Sequence, residues 1–178
     1  MESHPVSFES NRLKEIMCRD TSGVALRVID DGRIGFTSTT DVSRESELIE
    51  RAATLVPFGS EAAFEFPGPS EYPSVDIVDP AVPQVAQQAM IDTGQGLIER
   101  LLDEWPELLC DARIGWSTGR GRLMNSAGID AEYEQTSYYC SLGAQLIRGT
   151  DMLNVWAGFG SSHLFGEVEL DRLLQTVR

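Results

Sequence analysis

Val24-Ala25-Leu26-Arg27-Val28-Ile29-Asp30-Asp31-Gly32-Arg33-Ile34-Gly35-Phe36-Thr37-Ser38-Thr39 is the stretch on which the fold class turns. Two β-branched, partly alternating runs flank Asp30-Asp31-Gly32-Arg33. An Asp-Gly pair between two such runs is the signature of a tight hairpin, because the favoured two-residue turns need left-handed backbone that Gly and Asp tolerate. Asp31 and Gly32 are therefore assigned as structural turn residues. A hairpin this early argues against a doubly wound nucleotide fold, which needs regular alternation of parallel strands and helices.

Working outward, Arg12–Cys18 reads as a further strand, with Leu13 and Met17 on one side and Ile16 blurring the alternation. Downstream, the pattern predicts a helix over about Val42–Leu55. Asp41 and Ser43 are its cap candidates, Glu45 and Glu47 suit its positive end, and Leu48, Ala52 and Leu55 form its apolar face. Pro57 and Gly59 end it, and five prolines between 67 and 83 mark a long connection, with Val75–Val78 an extended piece inside it. A second helix is expected from Ala81 or Val82 to Glu104, with Val85, Ala89, Leu97, Leu101 and Leu102 inward. Gly94 and Gly96 weaken its middle, and admit either close packing or a kink.

Strands then return at about Leu109–Thr118, Arg122–Asn125, Ala131–Arg148 and Leu153–Gly158, with Asn125-Ser126-Ala127-Gly128 as a turn. Gly128 is its structural glycine. A short helix over Glu169–Val177 closes the chain. The order gives an α+β fold: a mixed or mainly antiparallel sheet with two principal helices packed on it, in a single domain spanning 1–178. Core candidates are Leu26, Val28, Phe36, Leu48, Ala52, Leu101, Ile114, Leu142 and Leu146.

Composition narrows the function. The 178 residues carry 28 Asp+Glu against 14 Lys+Arg, a formal net charge of −14, and Lys14 is the sole lysine. A nucleic-acid binder draws most of its affinity from a positive face, so no nucleic-acid partner is expected. No apolar run approaches the roughly 20 residues that cross a bilayer, and no membrane partner is expected. Surface scaling lets about 70% of the extended chain's surface be buried, enough for a core without metal or disulfide staples. Cys18, Cys110 and Cys140 are odd in number and widely spaced. With no basic-then-apolar leader at the N-terminus, they point to a cytoplasmic protein with buried thiols.

Individual residues offer little catalysis. There are two histidines, His4 at an expected frayed end and His163. His163 and Glu167 are four apart and would share a helical face, but the glycines around them make that helix weak, and a surface or structural role outweighs a metal-related one. No cysteine sits near a histidine in sequence, and none is placed as a nucleophile. Gly119-Arg120-Gly121-Arg122 lacks the spacing and lysine of a phosphate loop and reads as a turn between strands. Tyr133, Tyr138, Tyr139, Trp116 and Trp156 allow a peptide-contacting sheet surface, weighed against alternating core packing.

The arrangement as a whole resembles a known family. Phe8–Ile16, Gly23–Val28 and Asp31–Asp41, followed by Asn125-Ser126-Ala127-Gly128 and Glu134-Gln135-Thr136-Ser137-Tyr138, are similar to the N-terminal part of the TldD/PmbA family, also called peptidase U62 or modulator of DNA gyrase. The resemblance implies the noncatalytic N-terminal domain of a zinc-dependent peptide-processing metallopeptidase, or of its partner subunit. Zinc is expected in the parent assembly's C-terminal region, on a His-Glu-x-x-x-His motif absent here, and no cofactor is expected on this chain. Catalytic residues are accordingly none, and metal ligands none beyond the weak His163 and Glu167. Implied partners are a TldD/PmbA-like subunit, as homo- or hetero-oligomer, and an extended peptide, with Tyr133, Tyr138, Asn125 and Ser126 as candidate peptide contacts. The competing reading is a stand-alone peptide-binding or regulatory scaffold without protease activity.

Overall fold

The computed structural model describes all 178 residues, Met1–Arg178. The chain gathers into two compact units. The first comprises Met1–Asp20, Pro73–Gly121 and Glu132–Arg178, and the second Thr21–Tyr72 with Arg122–Ala131.

The first unit is built on an antiparallel sheet. Its strands are β1 (Glu2–Glu9), β2 (Arg12–Ile16), β3 (Arg19–Asp20), β6 (Leu109–Met124, of which residues 122–124 belong to the second unit), β7 (Asp130–Arg148, of which residues 130–131 belong to the second unit) and β8 (Asp151–Ser161), in the order β2-β1-β6-β7-β8, with β3 pairing β1. Val6 lies opposite Ile114 and Phe8 opposite Ala112 across β1 and β6, while Leu142 faces Ala157 across β7 and β8. Along β7, residues 136 to 144 alternate strictly, with Thr136, Tyr138, Cys140, Leu142 and Ala144 buried. That period of two places one row of side chains under the helices and the other on the opposite face.

Two helices cover the first row. Helix α2 (Gln87–Leu102) brings Met90, Leu97, Ile98 and Leu101, and α3 (Glu167–Val177) brings Leu173, Leu174 and Val177 into one core with Val6, Phe8, Ile114 and Leu142. The expected second helix is thus shortened at both ends: Val82–Gln84 forms a separate 3-10 turn, and the extended Ala86 begins α2. Gly94 is the reason α2 can lie so low. A Cβ there would sit 2.4 Å from Phe8 Cε2 and 2.7 Å from Ile114 Cδ1, whereas one at Gly96 would meet open space.

Buried Thr136 ties the proline-rich connection to this sheet. Its hydroxyl donates to Ser162 O (2.6 Å) and accepts the Asp79 N–H (2.9 Å), and its backbone N–H donates to Ile77 O (2.9 Å). The Val75–Val78 piece is anchored in this way rather than by a strand ladder.

The second unit centres on the hairpin β4 (Val24–Asp30) and β5 (Arg33–Thr39), joined by Asp31 (φ 46°) and Gly32 (φ 69°). Both turn residues occupy the left-handed region that the sequence demands. Residues 60 to 62 run alongside β5, with Ile34 N–H donating to Ser60 O (3.0 Å) and Ala62 N–H to Gly32 O (2.8 Å). Helix α1 (Glu45–Leu55) packs on the hairpin through Leu48 and Ala52, and a following 3-10 turn adds Val56.

Several expectations change here. Helix α1 covers the hairpin, and α3 rather than α1 completes the helical layer on the main sheet. Asp41 does not cap α1: its carboxylate accepts the Ser43 N–H and hydroxyl, and the helix starts later, at Glu45. Leu55 is exposed and Val56 takes its inward place. Phe36 is 52% exposed, because the inward position on β5 is Gly35, where α1 approaches so closely that a Cβ would lie 2.0 Å from Ala52 O. Phe36 instead shares the outer face with Arg27, whose guanidinium sits 6.0 Å from its ring centroid and 5.8 Å from that of Phe64. Leu26 and Val28 are half-buried.

Candidate functional site

The face of the main sheet opposite α2 and α3 carries no helix. Glycines on β6 shape it. A Cβ on Gly115 would lie 2.6 Å from the Tyr139 hydroxyl and one on Gly121 would lie 2.4 Å from the Tyr133 ring, so both tyrosines lean across β6 where it has no side chains. Aromatic rings laid over strand glycines restore the contact that glycine itself lacks. Trp156, opposite Gly143 in the β7–β8 register, stands on the same face with 73% of its surface exposed.

Between these elements lies a cleft of about 640 Å³. It is lined by Ser7 on β1, Arg113 on β6, Ser141, Gly143 and Gln145 on β7, and Trp156 on β8. Its polar groups are partly tied down: the Ser10 N–H donates to Asp111 Oδ1 (2.8 Å), Gln145 Nε2 donates to Asn154 Oδ1 (2.9 Å), and Lys14 pairs with Glu9. The cleft thus combines small side chains, charged groups and one exposed indole. Its ionisable lining residues are Glu9, Lys14, Glu15, Asp111 and Arg113.

The residues singled out from the sequence fall in different places. Tyr133 is 55% exposed on the open face. Tyr138 is a correction: it is buried, its ring 4.8 Å from that of Phe165, and desolvation raises its phenol above the ordinary value. Parity explains this, since Tyr133 and Tyr138 are an odd number of positions apart on one strand and must point to opposite faces. Tyr139 is the residue that shares the face of Tyr133, and counting by twos from Tyr133 finds it.

Asn125 organises its turn. Its side-chain carbonyl accepts the N–H groups of Ala127 (3.0 Å) and Ile129 (3.0 Å), and its amide donates to Pro67 O (2.9 Å). Gly128 adopts φ 101°, and Ser126 is exposed at the tip.

His163 and Glu167 have separate partners. The His163 Nε2 lies 3.3 Å from Asp76 Oδ1 and its Nδ1 3.1 Å from the Ser162 hydroxyl, while Glu167 opens α3 and lies 3.9 Å from Arg100. Burial pushes the Cys140 thiol up to about 12, and burial together with the Asp111 charge pushes Cys110 up to about 11. Neither is a nucleophile near neutral pH. Ligand-type side chains meet instead where the sequence reading placed a frayed end: Glu2, His4 and Cys18 converge, with His4 held inside β1.

Comparison with known proteins agrees with this architecture. Residues 1–56 match the family model of PmbA/TldA metallopeptidase domain 1. The match is to the N-terminal domain of the TldD/PmbA family. No curated protein sequence matches the chain. Among solved structures, the TldD/PmbA N-terminal fold recurs in a Bacteroides thetaiotaomicron protein named as a modulator of DNA gyrase (TM-score 0.80, 15% identity, 99% of this chain and 43% of that one). It recurs in TldE from Thermococcus kodakarensis (TM-score 0.76, 18% identity, 99% and 42%). A Thermotoga maritima protein, named as a modulator of a DNA gyrase, gives a TM-score of 0.75 at 12% identity, covering 99% and 40%. The chain spans about two fifths of the length of these structures. In the TldD/PmbA-like fold described here, no helix is long and apolar enough to cross a membrane.

Proposed function

We propose that this chain is the noncatalytic N-terminal domain of a zinc-dependent peptide-processing assembly of the TldD/PmbA type, acting in subunit contact and in peptide access. One observation carries this reading. Strand β8, last in the sheet order, is paired on one side only and presents Met152, Leu153 and Trp156 at 60%, 59% and 73% exposure. An apolar edge strand with unpaired backbone groups is a template for an added strand, and soluble proteins normally shield such an edge. Beside it, the Trp156 cleft offers a surface for the side chains of an extended peptide, with Tyr133 further along the same face. The family match adds the class of chemistry, with metal ligands and the base lying outside this chain.

The test pairs the chain with a catalytically competent TldD-type subunit and follows complex formation by sedimentation and peptide hydrolysis by chromatography. The expected result is no hydrolysis by the chain alone, a stable complex, and loss of that complex in a Leu153→Lys, Trp156→Glu double variant that keeps its circular dichroism. Robust peptide cleavage by the chain alone, or complex formation unaffected by the edge substitutions, overturns the reading.

A further inference from the structure

We propose that Glu2, His4 and Cys18 form a binding site for a zinc-class divalent cation, with three protein ligands and a fourth position open to water. Glu2 and His4 are two residues apart on β1 and so project from the same face of the strand. Cys18 comes from the link between β2 and β3, and its backbone is fixed on both sides. Before it, the Met17 N–H donates to Pro5 O (3.0 Å), and after it, Arg19 and Asp20 pair with Ser3 and Glu2. The result is a preset cluster: His4 Nε2 lies 2.8 Å from Glu2 Oε1 and 3.5 Å from Cys18 Sγ, and all three ligand atoms fall within 4.8 Å of one another.

These separations can be set against a tetrahedral centre. Zinc bonds of about 2.3 Å to sulfur and about 2.0–2.1 Å to nitrogen and oxygen require S···N near 3.5 Å and O···N near 3.3 Å. The sulfur–nitrogen edge is already at that length. The carboxylate is closer because it shares a hydrogen with the imidazole, and it would withdraw by about 0.5 Å on metal entry. The His4 ring is also oriented from outside the cluster, stacked on Trp116 at 4.1 Å between centroids and 19° between planes. A thiolate, an imidazole and a carboxylate together select zinc or cobalt over the oxygen-seeking magnesium and calcium. A bound ion would clip the β2–β3 link to β1. This site is separate from the β8 edge and its cleft, and its test has no activity readout.

Cobalt(II) is the probe, titrated into tag-free, chelator-treated chain under reducing conditions, followed by zinc competition. The expected result is a thiolate-to-cobalt charge-transfer band with the intense visible bands of tetrahedral cobalt, saturating at a single ion per chain and abolished by zinc. Cys18→Ser should remove the charge-transfer band, and His4→Gln and Glu2→Gln should each weaken binding by about tenfold or more. Circular dichroism of each variant checks the fold. The absence of a charge-transfer band in the unsubstituted chain overturns the assignment, and so does its persistence in Cys18→Ser or equal affinity in folded His4→Gln.

Discussion

Helix α2 contains two glycines, two residues apart, on which the same substitution should have opposite effects. At Gly96 an added methyl meets nothing within 4 Å, so alanine there gains helix propensity alone, about 0.8–1 kcal/mol. At Gly94 the same methyl would lie 2.4 Å from Phe8 Cε2 and 2.7 Å from Ile114 Cδ1. Phe8 is 3% exposed and Ile114 fully buried, so neither can step aside into solvent. Overpacking a filled core costs about 1–3 kcal/mol, and contacts this short belong at the upper end. Subtracting the propensity gain leaves Gly94→Ala about 2 kcal/mol destabilised, and the two variants about 3 kcal/mol apart. For a chain of this size each kcal/mol moves the melting temperature by about 2–4 °C. Thermal unfolding followed by far-UV circular dichroism should show Gly96→Ala above the parent and Gly94→Ala about 4–8 °C below it. A Gly94→Ala protein as stable as Gly96→Ala would refute the close approach of α2 to β1 and β6.

Gly35→Ala should act locally in the second unit, because its methyl would meet the Ala52 carbonyl of α1 at 2.0 Å and force helix and hairpin apart; hydrogen exchange should accelerate in α1 and stay unchanged in α2. The Asp79 carboxyl is held below the usual carboxylate range, first by the Leu164 N–H and then by the Ala81 N–H. A depressed folded value means a contribution present above the unfolded value of about 3.9 and lost as pH falls through the folded one. Stability of Asp79→Asn should therefore lie below the parent near neutrality and converge on it in acid, and a gap independent of pH would contradict the assignment. With chelator present, a thiol reagent should titrate exposed Cys18 in the native chain and reach Cys110 and Cys140 only after unfolding; rapid native labelling of all three would show that the sheet core is open.

The elements legible in the sequence are those whose signal is local. Asp31-Gly32 demands left-handed backbone at two successive positions, and the alternation along β7 survives for nearly ten residues, so the hairpin and the longest strand can be read directly. Strand β1 carries no such local signal, because Pro5 withdraws a ladder donor and normally marks an edge. Here Pro5 lies in a strand paired on both sides, and its carbonyl takes the Met17 N–H. Phe36 was misplaced because hydrophobicity points inward, whereas the inward position is filled by the main chain of α1 against Gly35. The Glu2, His4 and Cys18 cluster has no recognisable spacing, since a strand, a turn and a short return separate its members in sequence while register brings them together.

Glycine therefore plays two parts in this fold, and the difference bears on function. At Gly35 and Gly94 it admits neighbours that are needed for the cores, whereas at Gly115 and Gly121 it admits tyrosines on the face that no helix covers. Trp156, on the same face, likewise leans over a glycine, a Cβ on Gly158 lying 3.2 Å from its Cζ2, yet 73% of the residue remains in water. A side chain so exposed gains little from folding, since hydrophobic stabilisation scales with the area removed from water. Its removal should leave the melting temperature nearly unchanged, within about 0.5 kcal/mol for an exposed position. If β8 and its cleft receive an extended partner, the same removal should cost association, because a buried tryptophan is among the strongest interface contributors. Stability unchanged and binding lost would separate a surface built for contact from one merely left open, and equal losses in both would place Trp156 in the fold itself.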